Sequence, residues 1–264
     1  MSRPKYRFTP SLLQSWSDYV NSDRLWEKFY GSSKDPSMTM QEFEAKKEAD
    51  LWDAINRVDR GPIEAADRGT CLNEIVDMKV EWRREPMEGM TVRRLDNPDG
   101  RLRGIRAEMN GFVFEYSADL LRRLWEYFAG STCQHRCEAL LDTCYGPVIL
   151  YGDADYIRRD KVSDLKSTMK YDYGKYEAGG QKDVYPYCLI ESGEMEFVSE
   201  FEYLVVELNI QKSENALISG DIYRERYDYS HEGAKVRLRE VCEQFYAYLD
   251  ANYEKIEHPR IKNQ

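Results

Sequence analysis

Two aspartates and a lysine stand close together in the middle of the chain, and their residue types could perform metal-dependent hydrolysis. Asp155, Asp164 and Lys166 all fall within the run GDADYIRRDKVSDLKST, from Gly152 to Thr168. Two carboxylates can hold a hard divalent cation such as Mg²⁺ together with water and phosphate oxygens. A neighbouring ammonium group can orient the water or stabilise the negative charge that develops on the phosphate. The chemistry that these residues suggest is the hydrolysis of a phosphodiester.

The spacing of Asp164 and Lys166 carries little information by itself. The chain has 48 acidic residues and contains three acid-x-Lys triplets, which begin at Glu44, Asp77 and Asp164. The first two fall in stretches with the apolar spacing of helices, whereas the third follows a strand-like segment. The setting of the third triplet therefore distinguishes it from the other two.

The elements that must position these residues are two neighbouring strands joined by a charged turn. An apolar pattern runs from Pro147 to Ile157, and the charged break Arg158 to Lys161 follows it. A turn there returns the segment Val162 to Ser167 antiparallel to the first strand, so that Asp155 and Asp164 become cross-strand neighbours. The lysine then shares a face with Asp164, because strand side chains alternate with a period of two.

An adjacent pair of carboxylates at this position allows two interpretations. Burial of such a pair is costly unless a cation or a base compensates its charge, which favours a metal site. An exposed hairpin whose charged side chains form ordinary ion pairs explains the same spacing. The spacing alone leaves both interpretations open.

The run GDADYI followed by VSDLKST resembles the core of the PD-(D/E)XK nuclease superfamily, in the RecB-like branch that includes many phage exonucleases. The N-terminal YRFTPSLLQSWSDYV resembles the opening helix of that branch. Arg68 to Asp77 (RGTCLNEIVD) resembles its Gly-Thr-x-x-His helix, and Gln181 to Tyr187 (QKDVYPY) resembles its Gln-x-x-x-Tyr helix. The resemblance implies an α/β (α+β) fold with a restriction-endonuclease-like core, in which helices flank a central mixed β-sheet, and it implies metal-dependent cleavage of DNA.

The resemblance assigns roles to individual residues. The metal-binding acid of the family falls on Asp155, its second acid on Asp164 and its lysine on Lys166. The backbone carbonyl of Leu165 is a further metal ligand by the same resemblance. Lys166 is then expected to act on the attacking water or the phosphate, and the two aspartates are expected to fix the ion.

Two helices contribute further candidates by the same resemblance. The helix histidine of the family falls on Asn73, whose amide oxygen is a weaker ligand, so the second metal site is an open question. Glu74 could supply an oxygen if the helix is rotated, and Asp77 lies one turn from Asn73, but a solvated helix face explains Glu74 equally well. Gln181 and Tyr185 could contact a phosphate or order the lysine, or they could form the inner face of an amphipathic helix.

The resemblance also implies a cofactor and partners. Mg²⁺ is the expected cofactor, Mn²⁺ is its substitute, and DNA is the expected partner. A phage recombination exonuclease that works beside a single-strand annealing protein, as a monomer or a homo-oligomer, is the implied setting. Some relatives carry an iron-sulfur cluster on an early cysteine and a C-terminal cysteine group. Here no cysteine precedes Cys71 and the last quarter holds only Cys242, so no iron-sulfur cluster is expected.

A nuclease-fold protein that binds nucleic acid or a protein partner without cutting is the alternative function. The replacement of the family histidine by Asn73 supports it. The complete set of Asp155, Asp164 and Lys166 favours the enzyme, because a purely structural role gives no reason for all three.

Composition bounds these hypotheses. With 264 residues, of which 42% are hydrophobic, the chain can bury one substantial core. We expect one nuclease-like domain over residues 1–264, with a core over about 60–230 and helical elaborations at both ends. No apolar stretch approaches the roughly 20 residues of a membrane span, and the N-terminus lacks a signal-peptide core. A cytoplasmic protein with free thiols and no membrane partner is expected.

Two further patterns have competing interpretations. The chain carries a net charge of −10, but the stretch from Arg83 to Arg106 holds seven arginines against four acids and could contact a DNA backbone. A solvated loop of mixed charge explains that stretch just as simply. Cys133, His135 and Cys137 alternate along a predicted strand and could suggest zinc, but a strand face is favoured because structural zinc sites need four closely spaced ligands.

Overall fold

A mixed β-sheet flanked by helices forms the centre of the computed structural model, which describes residues 3–213 and 216–262. This arrangement confirms the predicted mixed α/β (α+β) class. The helices are α1 (Pro10–Val20), α2 (Ser22–Tyr30), α3 (Met40–Asn56), α4 (Glu64–Val80), α5 (Ala118–Phe128), α6 (Gln181–Glu191) and α7 (His231–Ala251). The strands are β1 (Arg7–Phe8), β2 (Met90–Asp96), β3 (Leu102–Met109), β4 (Phe112–Ser117), β5 (Thr132–Thr143), β6 (Gly146–Arg158), β7 (Lys161–Thr168), β8 (Glu200–Asn209) and β9 (Ser219–Asp228).

The long strand β6 organises the six-stranded sheet. Its order is β1-β6-β7-β8-β9, and β5 pairs with β6 along almost the whole of one edge. The opposite edge of β6 is shared, because β1 pairs with it at Ile149 and Leu150 and β7 pairs with it from Tyr156 onward. Among the described residues, no strand covers this edge between Leu150 and Tyr156. The sheet therefore has an internal gap beside the middle of β6.

A second, antiparallel sheet is built from β2, β3 and β4. The tight turn between β3 and β4 falls on Asn110 and Gly111, a pair of residues that favours such turns, and their φ angles are 52° and 84°. An isolated bridge between Tyr116 and Ile218 connects this sheet to the start of β9. The Ser117 side chain then caps α5 by accepting a hydrogen bond from the amide of Leu120.

Two hydrophobic clusters form the core, one on each face of the central sheet. Val162 belongs to the cluster with side chains of α1, α6 and α7, whereas Leu165 belongs to the cluster with side chains of α4 and α5. Their odd separation on β7 sends them to opposite faces, as strand alternation requires. Within residues 3–213 and 216–262, no helix combines the length and the apolar character that a membrane crossing needs.

Candidate active site

The candidate site lies where β6 and β7 separate. Their paired residues end at Tyr156 and Ser163, so Asp155 and Asp164 occupy the next positions, just beyond the ladder. The amide of Leu165 donates a hydrogen bond to Asp155 Oδ2 at 3.0 Å. The sequence predicts two cross-strand neighbours, and the structure joins the strands at this point through a side chain and a backbone amide. The separation gives the carboxylates space that a continuous ladder would not leave.

Asp164 is a buried carboxylate whose two oxygens have different partners. Its side chain is 1% exposed, and the Gln181 amide donates to its Oδ1 at 2.5 Å. Lys166 Nζ lies 2.7 Å from its Oδ2 and forms an ion pair with it. Among the described residues, no second donor reaches Oδ2. A carboxylate oxygen with one ammonium partner keeps lone-pair capacity that a metal cation can use.

The pKa of Asp155 indicates that the two buried carboxylates are not fully neutralised. Burial, followed by the negative charge of Asp164, raises the pKa of Asp155 well above its usual value. The Lys166 charge and the Leu165 amide lower this pKa, but by less. One lysine therefore does not neutralise the two carboxylates, and a bound divalent cation would do so.

Lys166 keeps its charge in spite of burial. Burial lowers the pKa of this lysine, but the adjacent Asp164 and then Asp155 raise it further, so that it ends above its usual value. The ammonium group also lies 5.9 Å from the ring centroid of Tyr203, within the range of a cation–π contact. The lysine side chain is 28% exposed and lines a cleft of about 580 Å³. Lys166 can thus meet a substrate as an ammonium ion.

Helix α6 supplies the next wall of the cleft. Gln181 is its first residue, and its amide lies 3.3 Å from the hydroxyl of Tyr185 one turn later. Burial raises the pKa of Tyr185, so its hydroxyl stays protonated. The ring of Tyr185 packs against Gly152, where an added Cβ would come within 2.7 Å of Cε1 of that ring. The glycine of the motif therefore lets α6 approach β6, and Gln181 reaches Asp164 as a result.

Helix α4 brings Asn73 to the site but not Glu74. The Asn73 amide donates to Asp155 Oδ2 at 3.4 Å. The Glu74 carboxylate instead accepts hydrogen bonds from Arg83 at 2.8 and 3.1 Å and from the Met87 amide at 2.8 Å. Glu74 thus fixes the loop after α4, and the rotation that would turn it toward a metal is absent.

Asp77 is a buried carboxylate close to the site. Its side chain is 2% exposed, and burial raises its pKa to about 6. The Gln134 amide donates to Asp77 Oδ2 at 3.0 Å, and Gln134 itself has a φ angle of 46°. This left-handed glutamine leaves the ladder opposite Asp155, between the pairs Cys133–Tyr156 and His135–Ala154. Sequence reasoning missed Gln134, because no local pattern predicts a left-handed glutamine inside a strand.

The donors that fit a metal are few. Within the parts of the chain that the structure describes, no group of three or more His, Cys, Asp or Glu side chains converges as a metal site. Mg²⁺ needs only one or two carboxylates and takes its remaining oxygens from water, substrate or backbone. In a strand, the N–H and C=O of one residue point to the same neighbour, so the Leu165 carbonyl faces the gap beside Asp155. Asp155, Asp164 and Leu165 together fit this ion.

The residues that could have suggested zinc do not form a ligand set. Cys133 and Cys137 pack into different hydrophobic clusters, and the ring of His135 contacts Glu194. All six cysteines are free thiols, and only Cys144 is exposed. The alternating residues of β5 thus serve packing and a surface hydrogen bond.

Comparisons with known proteins add no family. No protein-family model matches the chain, and no curated protein shows significant similarity to it. Among solved structures, the crystal structure of SSO0001 aligns with 11% sequence identity and a TM-score of 0.30. That alignment covers 48% of this chain and 55% of the other, so the chain spans about half the length of SSO0001. A likeness of this size carries no argument about fold or function.

Proposed function

We propose that this protein is a metal-dependent nuclease that hydrolyses DNA phosphodiester bonds with Mg²⁺, for which Mn²⁺ can substitute. One observation carries the proposal. Asp155 and Asp164 lie side by side where two strands separate, and Lys166 is ion-paired with the buried Asp164 carboxylate at 2.7 Å. Exonuclease action in phage-type recombination, in the cytoplasm and beside a single-strand annealing protein, is the finer form of the proposal and follows from the sequence resemblance.

Each residue of the site has a task in this reaction. Asp155, Asp164 and the Leu165 carbonyl would hold the ion, which when bound polarises a phosphate oxygen and lowers the pKa of a water. Gln181 fixes the orientation of Asp164 through its 2.5 Å hydrogen bond. Lys166, held as an ammonium ion 2.7 Å from Asp164, can donate to a non-bridging phosphate oxygen or orient the attacking water.

A binding protein without catalysis is the second candidate, and one observation favours it. The side chain of Asn73 turns its amide toward Asp155 Oδ2, so α4 presents a neutral hydrogen-bond donor at this point. A site with two carboxylates can bind a metal and a phosphate without cleaving. Turnover therefore separates the two candidates.

The experiment compares linear duplex, single-stranded and circular DNA, each with Mg²⁺, with Mn²⁺ or with a chelator. We expect metal-dependent digestion of linear DNA that stops with the chelator and with the substitution Asp164→Asn. Equal digestion of circular DNA would exclude the exonuclease form. DNA binding without digestion under any of these conditions would contradict the enzyme and favour the binding protein.

A further inference from the structure

A second cavity, of about 990 Å³, lies beside the cleft that contains Lys166. The two cavities share Thr9, Ser11, Gly152 and Asp153 among their lining residues. They therefore adjoin beside the part of the β6 edge that neither β1 nor β7 covers. Whatever occupies the second cavity can extend toward Lys166.

The second cavity, which we name the basic groove, has a charge opposite to that of the molecule. The chain carries a net charge of −10. The described lining of the groove nevertheless contains one acid, Asp153, against five bases: Arg7, Arg57, Arg136, Arg260 and Lys262. Such a reversal of charge in a cleft attracts and concentrates anions.

Three arginines of the basic groove are arranged around one tyrosine. Arg57 Nη2 donates to the hydroxyl of Tyr151 at 2.9 Å. The guanidinium carbons of Arg7 and Arg136 lie 4.8 and 4.5 Å from the centroid of the same ring. Stacking on an aromatic face orders a guanidinium and leaves its in-plane N–H groups available to oxygen acceptors. The arrangement is pre-organised for phosphate oxygens.

The backbone of Arg57 strengthens this interpretation. Arg57 follows the end of α3 with φ 50° and ψ 47°, a left-handed conformation that usually falls to glycine or asparagine at this position. A non-glycine residue in this region is strained, and such strain collects at sites where a side chain is needed for function. Among the described residues Arg57 has no acidic partner within ion-pair distance, so intramolecular charge pairing does not explain its presence.

Two other arginines of the groove have acidic partners that a phosphate can replace. Arg7 pairs with Glu138 at 2.5 Å, and Arg136 pairs with Asp153 at 3.3 Å, all four side chains being 30% exposed or more. Solvated pairs of this kind contribute little free energy, so exchange for a phosphate is inexpensive. Both arginines also keep several N–H donors beyond those used in the pair.

We propose that the basic groove binds the sugar-phosphate backbone of a nucleic-acid strand and guides that strand to the candidate active site. The guidance of a strand to the active site rests on the proposed function, whereas the binding of the strand by the groove does not. Arg7 and Arg136 stack on the ring of Tyr151, so the groove contacts phosphates and does not read bases on that ring. Binding is therefore independent of sequence and sensitive to salt.

The arginine-rich stretch from Arg83 to Arg106 is a weaker candidate for the same task. Arg94 pairs with Asp96 at 2.6 Å, and Arg106 pairs with Glu108 at 2.8 Å. Arg83 is committed to the buried Glu74. The charges of this stretch are thus largely used within the hairpin, and Arg94 offers a matched control.

The test measures binding of a fluorescent single-stranded DNA oligonucleotide by anisotropy, in the presence of a chelator, over a range of salt concentrations. We expect Arg57→Gly and Arg136→Gln each to weaken binding several-fold and to lower the slope of log affinity against log salt by about 0.7. Arg94→Gln removes one positive charge outside the groove and should bind like the unmodified protein. Unchanged affinity in both groove variants would overturn the proposal.

Two further readouts separate the groove from protein stability and from catalysis. Arg57→Gly should keep or raise the melting temperature while it weakens binding, because glycine relieves the left-handed strain. A lower melting temperature with unchanged affinity would overturn the proposal in favour of a structural arginine. Groove-dependent binding without cleavage in Mg²⁺ or Mn²⁺ would support the groove and contradict the nuclease. Cleavage of DNA, together with an affinity that neither groove substitution changes, would support the nuclease and contradict the groove.

Discussion

Lys166 is the residue whose replacement best separates cleavage from metal binding, because it contacts Asp164 but supplies no ligand oxygen. We expect Lys166→Gln to slow DNA cleavage by about 100-fold or more, the usual effect of removing a group that stabilises charge in the transition state. Mg²⁺ binding, measured by calorimetry, should persist.

The matched control for this substitution lies in helix α3. Lys46 belongs to the triplet Glu44-Ala45-Lys46, has the same spacing from its acid, and is exposed. Lys46→Gln should cleave DNA at the unmodified rate. If Lys166→Gln lost Mg²⁺ binding together with cleavage, the lysine would be needed for the structure of the site and not specifically for the chemical step.

Asp155 couples the stability of the protein to pH and to metal. Its pKa is raised from an ordinary value of 3.8, so between that value and the raised one the folded state holds a proton that the unfolded state releases. Stability therefore falls as pH rises through this window. We expect Asp155→Asn to reduce this decrease of stability with pH. In the absence of metal, it should also raise the melting temperature at neutral pH.

Mg²⁺ provides the second half of this test. A cation that binds the folded state stabilises it by mass action, so Mg²⁺ should raise the melting temperature of the unmodified protein at neutral pH. The same addition should leave Asp155→Asn almost unchanged. Equal stabilisation of both proteins by Mg²⁺ would place the ion elsewhere.

The convergence of Asp155, Asp164 and Lys166 follows from rules that a sequence displays, namely strand alternation and a turn between two strands. The surroundings of these residues do not. Glu74 turns away because Arg83 folds back onto it from the loop after α4, and no local pattern encodes that loop. Gln134 is hidden for the same reason, since its left-handed backbone is a property of the assembled sheet.

The elements that the sequence predicts are those with a strong period or a strong cap. Helix α3 begins after Thr39, whose side chain and that of Glu42 form a capping box. The strand β1 has two residues, and only its pairing with β6 and its contact with the C-terminal segment define it. Helix α4 starts at Glu64, four residues before the segment Arg68 to Asp77 that resembles a family helix, and Ile63 supplies no side-chain cap that would mark this start.

Helix α4 carries a buried carboxylate that should make stability depend on pH in the acidic range. The pKa of Asp77 is raised from 3.8 to about 6, so stability falls as pH rises between these two values, and the loss, at most about 3 kcal/mol, is complete above pH 6. Asp77→Asn removes the charge and keeps an oxygen that can accept from Gln134. We expect it to raise the free energy of unfolding at pH above 6 and to change little below the unfolded pKa.

Chemical denaturation at several pH values measures this effect, and Asp119→Asn is its control. Asp119 lies on the neighbouring helix α5, where it is exposed and paired with Arg123 at 3.2 Å. Its replacement should change stability by no more than about 0.5 kcal/mol. A fall in stability of Asp77→Asn at high pH would show that the Asp77 carboxylate is better compensated than its burial indicates.

At the scale of the whole molecule, charge is divided by region. The net charge of −10 opposes the approach of a polyanion at long range, whereas the five bases of the basic groove would favour it at short range. The sequence locates the surplus of arginine in Arg83 to Arg106, but folding pairs that stretch internally and assembles the groove from five separate segments of the chain. Residues so far apart in the chain share no pattern that could reveal them in advance.

The C-terminal segment closes one side of the groove and secures the edge of the sheet. Ile261 is buried, its carbonyl accepts a hydrogen bond from the Arg7 amide at 3.0 Å, and Lys262 bridges to Tyr6. We expect Ile261→Ala to lower the free energy of unfolding by about 2 kcal/mol or more, as loss of buried methyl groups usually does. It should also weaken DNA binding, because Arg7 loses its support.

Mg²⁺ binding should survive Ile261→Ala, because the backbone of this segment pairs with Tyr6 and Arg7 and not with Asp155 or Asp164. Val236→Ala, at an exposed position of α7, is the control and should change stability by no more than about 0.5 kcal/mol. Denaturant unfolding, DNA anisotropy and Mg²⁺ calorimetry measure the three effects. If Ile261→Ala changed stability and DNA binding as little as Val236→Ala, the C-terminal segment would contribute little to the fold. The position of Arg7 would then depend on its pairing with β6 alone.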